Sequence, residues 1–350
     1  MPQLCPELTT KLASLKQLKQ QFDLELSSLP QTGKTEDLTL IREAKNKVEQ
    51  TLQELQNKLW LNTLELTREN LKAQYEFQKD VLIKSGLLKT LSTGELGIEA
   101  IDKQEYPLPT LEQIEKIMLE KRKLLETKIP QGFVKLIIVP FGLPIGSLME
   151  AYDNALMECY QQAKLLDAQN QPLKLYGEPT FDYAGYVKAE ATGDLVYFPK
   201  KYSYANHQGK TKKQLLATQA WQVLLLEDLP CLPDEGKGKT IAGREQPGVY
   251  QKPSEYLKQL QTDPQYKGEQ GLTLESWLVY GLSHLDQTNQ VIDEYQNSGK
   301  FCLLVSSYFK QPGNVSGADF YHNLARFYSV RSDPDDPFSY GVARFAVSIL

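Results

Sequence analysis

Cysteine is scarce in this chain and its few copies lie far apart. Cys5, Cys159, Cys231 and Cys302 form no CxxC pair, which argues against a zinc site or a disulfide framework. They read as free thiols in a reducing compartment. Histidine is scarcer still, with only His207, His284 and His322. His284, near Asp286 on a predicted helix, reads as structural rather than catalytic. No apolar run reaches the roughly 18 residues of a membrane span. The opening MPQLCPELTTKLASLKQLKQQ lacks the apolar core of a signal peptide. The expected location is therefore cytoplasmic, with surface display by another route left open. Neither sign of charge dominates: 39 Lys and Arg stand against 44 Asp and Glu. No arm or face is strongly basic, so nucleic acid is not an expected partner.

A second absence is local. Pro312 to Leu350 (PGNVSGADFYHNLARFYSVRSDPDDPFSYGVARFAVSIL) contains no Lys, Glu, Gln, Met or Trp. Those types make up about a quarter of the chain, so about ten would be expected there. Ser, Asp, Asn, Tyr, Phe, Arg, Ala, Gly, Val and Pro fill the segment instead. That mixture suits a recognition surface, which combines rigid aromatics with small adaptable polar groups. It also suits a buried β segment, where Lys and Glu are rare, and composition alone favours burial slightly. Phe345-Ala-Val-Ser-Ile-Leu350 reads as a core strand, with Phe345, Val347 and Ile349 inward.

The 350 residues suffice for two domains. Residues 1–130 read mostly as helix. Leu8, Leu12, Leu15, Leu18, Phe22 and Leu26 recur at steps of three and four. After a break at Leu29-Pro30-Gln-Thr-Gly33, a second helix is expected from Thr35 through Leu66, Tyr75 and Val81. This pattern predicts a helical hairpin or coiled coil, with a solvated face of Lys, Glu and Gln. Next comes a loop with Gly86, Gly94 and Gly97, then a helix over 110–128. Pro130-Gln-Gly132 reads as a boundary. Beyond it, buried strands are expected at 133–139 and 221–227, with others at 194–199 and 302–309. Amphipathic helices are expected at 147–166 and from Thr273 to about Tyr295. Irregular alternation and long loops predict an α+β fold.

Local chemistry offers no case for an enzyme. Glu235-Gly-Lys-Gly-Lys-Thr240 imitates a phosphate loop, but Pro233 stands where that loop needs its first Gly. A solvated glycine loop is the better reading. Ser332-Asp-Pro-Asp-Asp-Pro337 carries three carboxylates yet lacks EF-hand spacing, so a Pro-bounded turn is expected rather than a calcium site. No nucleophile–base signature is present. Neither a metal nor a cofactor is expected.

A resemblance adds to this reading. The run QLLATQAWQVLLLEDLP, the loop EGKGKT, the helix LTLESWLVYGLSHLDQTNQVIDEYQ and the ending YSVRSDPDDPFSYGVARFAVSI resemble proteins of candidate-phyla bacteria. Those are similar to the variable (target) proteins of diversity-generating retroelements. The resemblance covers roughly residues 131–350. It implies a C-type-lectin-like domain of the formylglycine-generating-enzyme type, following the helical hairpin or coiled coil of 1–130. It also implies that a reverse transcriptase misincorporates opposite template adenines, turning AAC codons into NNC. NNC cannot encode Lys, Glu, Gln, Met or Trp, the same five types missing from the tail. The hypervariable segment is expected over about 306–343. Its expected ligand-facing residues are Tyr308, Asn314, Ser316, Asp319, Tyr321, His322, Asn323, Phe327, Tyr328, Ser329, Arg331, Phe338, Ser339 and Tyr340. The expected partner is a protein or other macromolecule, with homo-oligomers formed through the N-terminal helices. Two departures stand out. Gly341-Val-Ala-Arg344 is one residue longer than the family's Gly-Phe/Val-Arg ending. Cys302 is the only cysteine in the C-terminal third, whereas the copper-dependent oxidation of formylglycine-generating enzymes uses a nearby pair. Such an oxidoreductase remains the remote alternative; a coiled-coil adaptor with a C-terminal cap is the nearer one.

Overall fold

The computed structural model describes residues 6–28, 35–63, 66–167, 170–173, 180–181, 184–229, 232, 238–295, 300–321, 326–337 and 341–350. It divides into two compact units, Met1–Lys72 and Ala73–Leu350. In the first, helices α1 (Pro6–Ser28) and α2 (Thr35–Thr63) lie against one another. Leu12, Leu15, Phe22 and Leu26 of α1 are half-buried, as are Ile41, Ala44 and Val48 of α2. Ion pairs Lys19–Glu49 (3.2 Å) and Lys45–Asp23 (2.6 Å) link the two helices.

The single helix expected from Thr35 to Val81 is interrupted. After α2 ends, α3 (Arg68–Lys84) begins afresh. Thr67 caps it: its Oγ1 accepts from the Asn70 amide at 3.2 Å. A Thr in that role satisfies a helix N-terminus better than it continues a helix.

The second unit begins well before the boundary expected at 130–132, and the reason is edge protection. Strand β4 (Phe133–Val139) is the outer strand of its sheet. An uncovered strand edge presents unpaired backbone groups. Gln74 of α3 covers them, donating to Val134 O at 3.0 Å and accepting from Leu136 N at 2.7 Å. Gln78 accepts from Ile138 N and donates to Ser283 Oγ. These two glutamines bind residues before 131 into the same body as those after it.

Between α3 and β4, the expected glycine loop is instead a small antiparallel sheet of β1 (Lys89–Thr90), β2 (Leu96–Glu99) and β3 (Glu105–Pro107). Gly97 is required there, because a Cβ would fall 2.4 Å from Tyr106 O. The expected 110–128 helix is two, α4 (Leu111–Glu120) and α5 (Arg122–Lys128), parted at Lys121. The Lys121 amine reaches the Ser348 carbonyl at 3.0 Å. After β4 come α6 (Ile145–Gln161), β5 (Thr180–Phe181), α7 (Ala184–Thr192), β6 (Leu195–Tyr197), α8 (Lys212–Leu215) and β7 (Gln222–Glu227). Strands β8 (Thr240–Ile241) and β9 (Arg244–Glu245) pair next. Thr240 thus enters a strand pair and opens no helix, unlike a phosphate loop; residues 233–237 lie outside the described residues. Then follow α9 (Pro253–Thr262), β10 (Glu269–Gly271), α10 (Leu274–Thr288) and β11 (Glu294–Tyr295). Helix α10 stops short of 295 because Asn289 adopts the left-handed conformation, φ 59°.

The tail supplies β12 (Phe301–Phe309), β13 (Asn314–Tyr321), β14 (Arg326–Ser332), β15 (Gly341–Ala343) and β16 (Phe345–Ser348). Helices and antiparallel sheets make the fold α+β. One sheet has the order β10-β16-β7-β4; the larger has β15-β12-β13-β14-β5, with β6 and β11 attached. Helix α10 packs against α6 and against strands of both sheets. Its residues from Leu274 to Leu285 are all buried, as a helix enclosed on every side requires. The inward Phe345, Val347 and Ile349 are buried as the sequence predicts, and so is Ala346 between them.

Arg344 is the single residue between β15 in the large sheet and β16 in the small one. It is 5% exposed. Its Nε donates to Asp293 Oδ2 at 3.0 Å and its Nη1 to Leu229 O at 2.6 Å. Trp277 Nε1 donates to the same Asp293 oxygen at 2.8 Å. Burial opposes the guanidinium charge, but Asp293 and, less, Tyr280 and Cys302 outweigh it, so the Arg344 pKa is raised and the guanidinium stays charged. Two other buried clusters tie the elements together. Arg244 donates to Glu269 at 2.8 and 2.7 Å and to Glu227 at 3.1 Å, over the Phe133 ring. Lys212 bridges Glu190 (2.5 Å) and Glu275 (2.9 Å).

Two predictions follow from this core. Arg344→Ala leaves Asp293 buried without its cation and should cost about 3–5 kcal/mol, read as a shift in urea midpoint. His284 is 5% exposed; burial and then Lys135 push its pKa down to about 4. Below an unfolded value near 6.5, the unfolded chain takes up a proton that the folded one refuses. Stability should therefore fall as pH drops from about 6.5 to about 4, by about 3 kcal/mol. His284→Phe should flatten that slope in a pH series of urea melts.

Candidate ligand-binding surface

Of the expected ligand-facing residues, those that the structure describes lie on β12, β13 and β14. These strands run antiparallel, Ser316 opposite Arg331 and Asp319 opposite Tyr328. Ser316 and Asp319 are three residues apart on one strand. Alternation therefore puts Ser316 and Asp319 on opposite faces of β13, so these two cannot share one flat patch.

Three expected contact residues are buried. Tyr308 is 2%, Ser316 0% and Asp319 1% exposed. The Ser316 and Tyr186 hydroxyls share a hydrogen bond of 2.8 Å. The Tyr308 ring packs 5.3 Å from Tyr202 and 6.4 Å from His207. These side chains are enclosed in the packing of the sheet. Codon compatibility carries no information on burial, so it cannot separate such residues from exposed ones. Asn314, at the start of β13, is half-exposed. Tyr321, Phe327, Tyr328, Ser329 and Arg331 are placed by backbone register only. His322, Asn323, Phe338, Ser339 and Tyr340 lie outside the described residues.

What the structure does assemble is one end of the large sheet. The turn from β12 to β13 carries Lys310, Gln311, Pro312 and Gly313. Beside it runs the segment 200–209, which the sequence marks only as rich in Lys and Tyr. Gln311 Nε2 donates to Tyr204 Oη at 3.3 Å, and Tyr204 is 62% exposed. Lys200 and Lys201 are exposed. Behind them, the Tyr202 hydroxyl donates to Val305 O at 2.8 Å. His207 Nδ1 accepts from the Gly209 amide at 2.9 Å. Burial, then the charge of Lys310, lowers the His207 pKa, disfavouring the imidazolium. On the other flank, Ser332 pairs with Val315 and leads into exposed Asp333, Asp335 and Asp336. That segment is a closed turn: Asp333 Oδ1 accepts from Asp335 N at 2.9 Å, and Ser254 Oγ donates to Asp335 at 3.0 Å. Burial, then Asp333, raises the Tyr308 hydroxyl pKa.

The sheet end thus gathers an exposed tyrosine, exposed lysines and exposed carboxylates around a buried aromatic cluster. Such a surface suits reversible recognition: the ring supplies contact area and the polar rim supplies orientation. Among the described residues, no group of three His, Cys, Asp or Glu gathers to hold a metal ion. Cys159 and Cys302 are buried and unbridged, and burial raises both thiol pKa values. Among the described residues, no helix is long and apolar enough to cross a membrane.

No protein-family model, curated protein or solved structure matches this chain.

The base and the rim should respond differently to truncation. Tyr308→Ala should cost about 3 kcal/mol or more of unfolding free energy, as large-to-small core changes do. Tyr204→Ala should stay within about 0.5 kcal/mol of the parent. Urea unfolding of both variants checks the assignment.

Proposed function

We propose that this protein is a non-catalytic binding protein whose C-terminal surface is diversified by a retroelement. The ligand is a protein or other macromolecule, held at the end of the large sheet. The domain is read as C-type-lectin-like, of the formylglycine-generating-enzyme type. Two features support that reading. Strands β4 and β16 flank β7, joining the two ends of the 131–350 region in one small sheet, and a second sheet carries the other tail strands, β13, β14 and β15. The N-terminal helices are read as an assembly module that gathers several binding heads and raises avidity.

One observation carries the proposal. The tail lacks Lys, Glu, Gln, Met and Trp at exposed positions as well as buried ones. Burial accounts for the absence at Val342, Ala343, Phe345 and Val347, all enclosed. It gives no reason for it at Pro312, Asp333, Asp335, Asp336 and Pro337, which are exposed. Lys, Glu and Gln are ordinary at such places. A codon rule acts on both classes alike, and NNC leaves out these five types together.

The test is genomic. The locus should carry a near-copy of the tail's coding sequence, differing from it at adenines of the copy, beside a reverse-transcriptase gene. Isolates of one lineage should differ at those codons and agree in the codons of Arg344, Phe345 and Val347. A tail that varies evenly across silent and non-adenine positions would sink the proposal.

A further inference from the structure

The helical hairpin of the first unit has two unlike faces. The half-buried Leu12, Leu15, Phe22 and Leu26 mark the side of α1 that meets α2, and Ile41, Ala44 and Val48 mark the facing side of α2. The ion pairs Lys19–Glu49 and Lys45–Asp23 cross this seam on one side. At about 100° of rotation per residue, Leu18 on α1 and Leu40 on α2 project on the other side. They are 39% and 64% exposed. Leu24 is exposed too, but it lies about 120° round α1 from Leu18 and off this face.

Two features say what covers the Leu18 face. First, the two helices alone enclose little: among the described side chains of 10–27 and 39–52, none is buried. Leu15, Phe22 and Ala44 lean toward the Leu18 side of the seam, so a partner laid there completes their burial. Second, the exposed charge on this face is arranged about Leu18. Lys11 and Glu25 each lie seven residues from it, in opposite directions along one stripe of α1. Each is therefore two turns, or about 10 Å, away. Both are exposed, and so is Glu43, which the Lys45–Asp23 pair sets level with Glu25. One end of the face is thus basic and the other acidic, with a leucine midway.

We propose that this face pairs with the same face of a second copy of the chain, antiparallel, with the two-fold axis at Leu18. The two Leu18 side chains meet at the axis, and every other contact occurs twice. Lys11 of each copy faces Glu25 and Glu43 of the other; a parallel pair would set those carboxylates against their own kind. The product is a four-helix bundle, in which paired hairpins bury their seams. Helix α1 has 23 residues, about 35 Å, and two helices side by side span about 20 Å. The face therefore covers about 700 Å² per copy, close to the roughly 800 Å² each partner gives to a stable interface. The inference rests on reading the N-terminal helices as an assembly module, and gives that module a number and a direction. The two chains leave such a bundle at opposite ends, which suits bridging two ligand molecules.

Light scattering on the full chain at micromolar concentration should give twice the chain mass. Leu18→Glu places two carboxylates at the axis and should weaken association at least about tenfold, with helix content unchanged by circular dichroism. Leu24→Glu should leave association within about twofold of the parent. Direction is read by a short thiol cross-linker in a Cys5→Ser, Cys231→Ser background. Lys11→Cys mixed with Glu25→Cys should give a linked dimer, and either variant alone far less. A monomeric full chain overturns this proposal and the assembly reading together. A larger assembly, a dimer indifferent to Leu18→Glu, or Glu25→Cys linking to itself as readily as to Lys11→Cys overturns the antiparallel pairing alone. If Leu18→Glu loses helix content, the cross-linking decides. None of these results bears on the genomic test above.

Discussion

The second unit depends on one buried ion pair, Arg344 with Asp293. The chain must pass from the large sheet to the small one, and Arg344 is the only residue between them. Its guanidinium is held by the Asp293 carboxylate and by the Leu229 carbonyl beyond the end of β7. Trp277, in the enclosed helix α10, donates to the same carboxylate. Both sheets and the helix that packs against them are therefore fixed at one point. Asp293 itself has φ 49°, an uncommon conformation for a side-chain-bearing residue, which the surrounding bonds hold in place. A charge pair in a low dielectric contributes little against an apolar replacement of the same shape. It contributes a great deal against loss of one partner. That asymmetry makes it a specifier of the crossing more than a source of stability.

The rigid base matters because the sheet end is built from segments far apart in sequence. Strand β12 leaves its ladder with β13 between Leu304 and Tyr308. There its backbone bonds instead to residues just beyond β10 and β6: Ser306 N donates to Leu272 O at 3.3 Å, and Phe198 N to Ser306 O at 2.9 Å. A bulge of this kind re-aims a strand without ending it. Beyond it, Tyr308 packs with Tyr202 and His207. Side chains on such an edge can change while the framework persists, since loops carried on a rigid scaffold tolerate substitution. Binding proteins that must accept many ligands need that separation of framework from surface.

Much of the framework was legible. The apolar run at 133–139 became β4, 221–227 became β7, and 302–309 became β12, each within a residue or so. Their continuous apolar character is the signature of strands buried on both faces. The differences have local causes of two kinds. Thr67 and Asn289 interrupt or end helices by side-chain or left-handed capping, signals that a strong heptad-like pattern masks. Gly97 is needed for close strand approach, though a sequence shows only a glycine. The candidate surface was less legible. Codon compatibility placed Tyr308, Ser316 and Asp319 among ligand contacts, and the fold enclosed all three. Tyr204, Lys200 and Lys201 were visible only as a Lys- and Tyr-rich loop, because their place beside the β12–β13 turn depends on contacts across a hundred residues.

The sequence by itself determined the class of fold, the core strands and the tail lacking five residue types. Each is a property of composition or short-range period, which the chain carries without folding. Only the tertiary structure decided that the compact unit starts at Ala73, because Gln74 and Gln78 meet the edge of a strand some sixty residues on. Only it separated exposed tail positions from buried ones, and so showed that burial cannot account for every missing lysine and glutamate. Burial and edge pairing are set by which distant segments meet, and no local pattern encodes that.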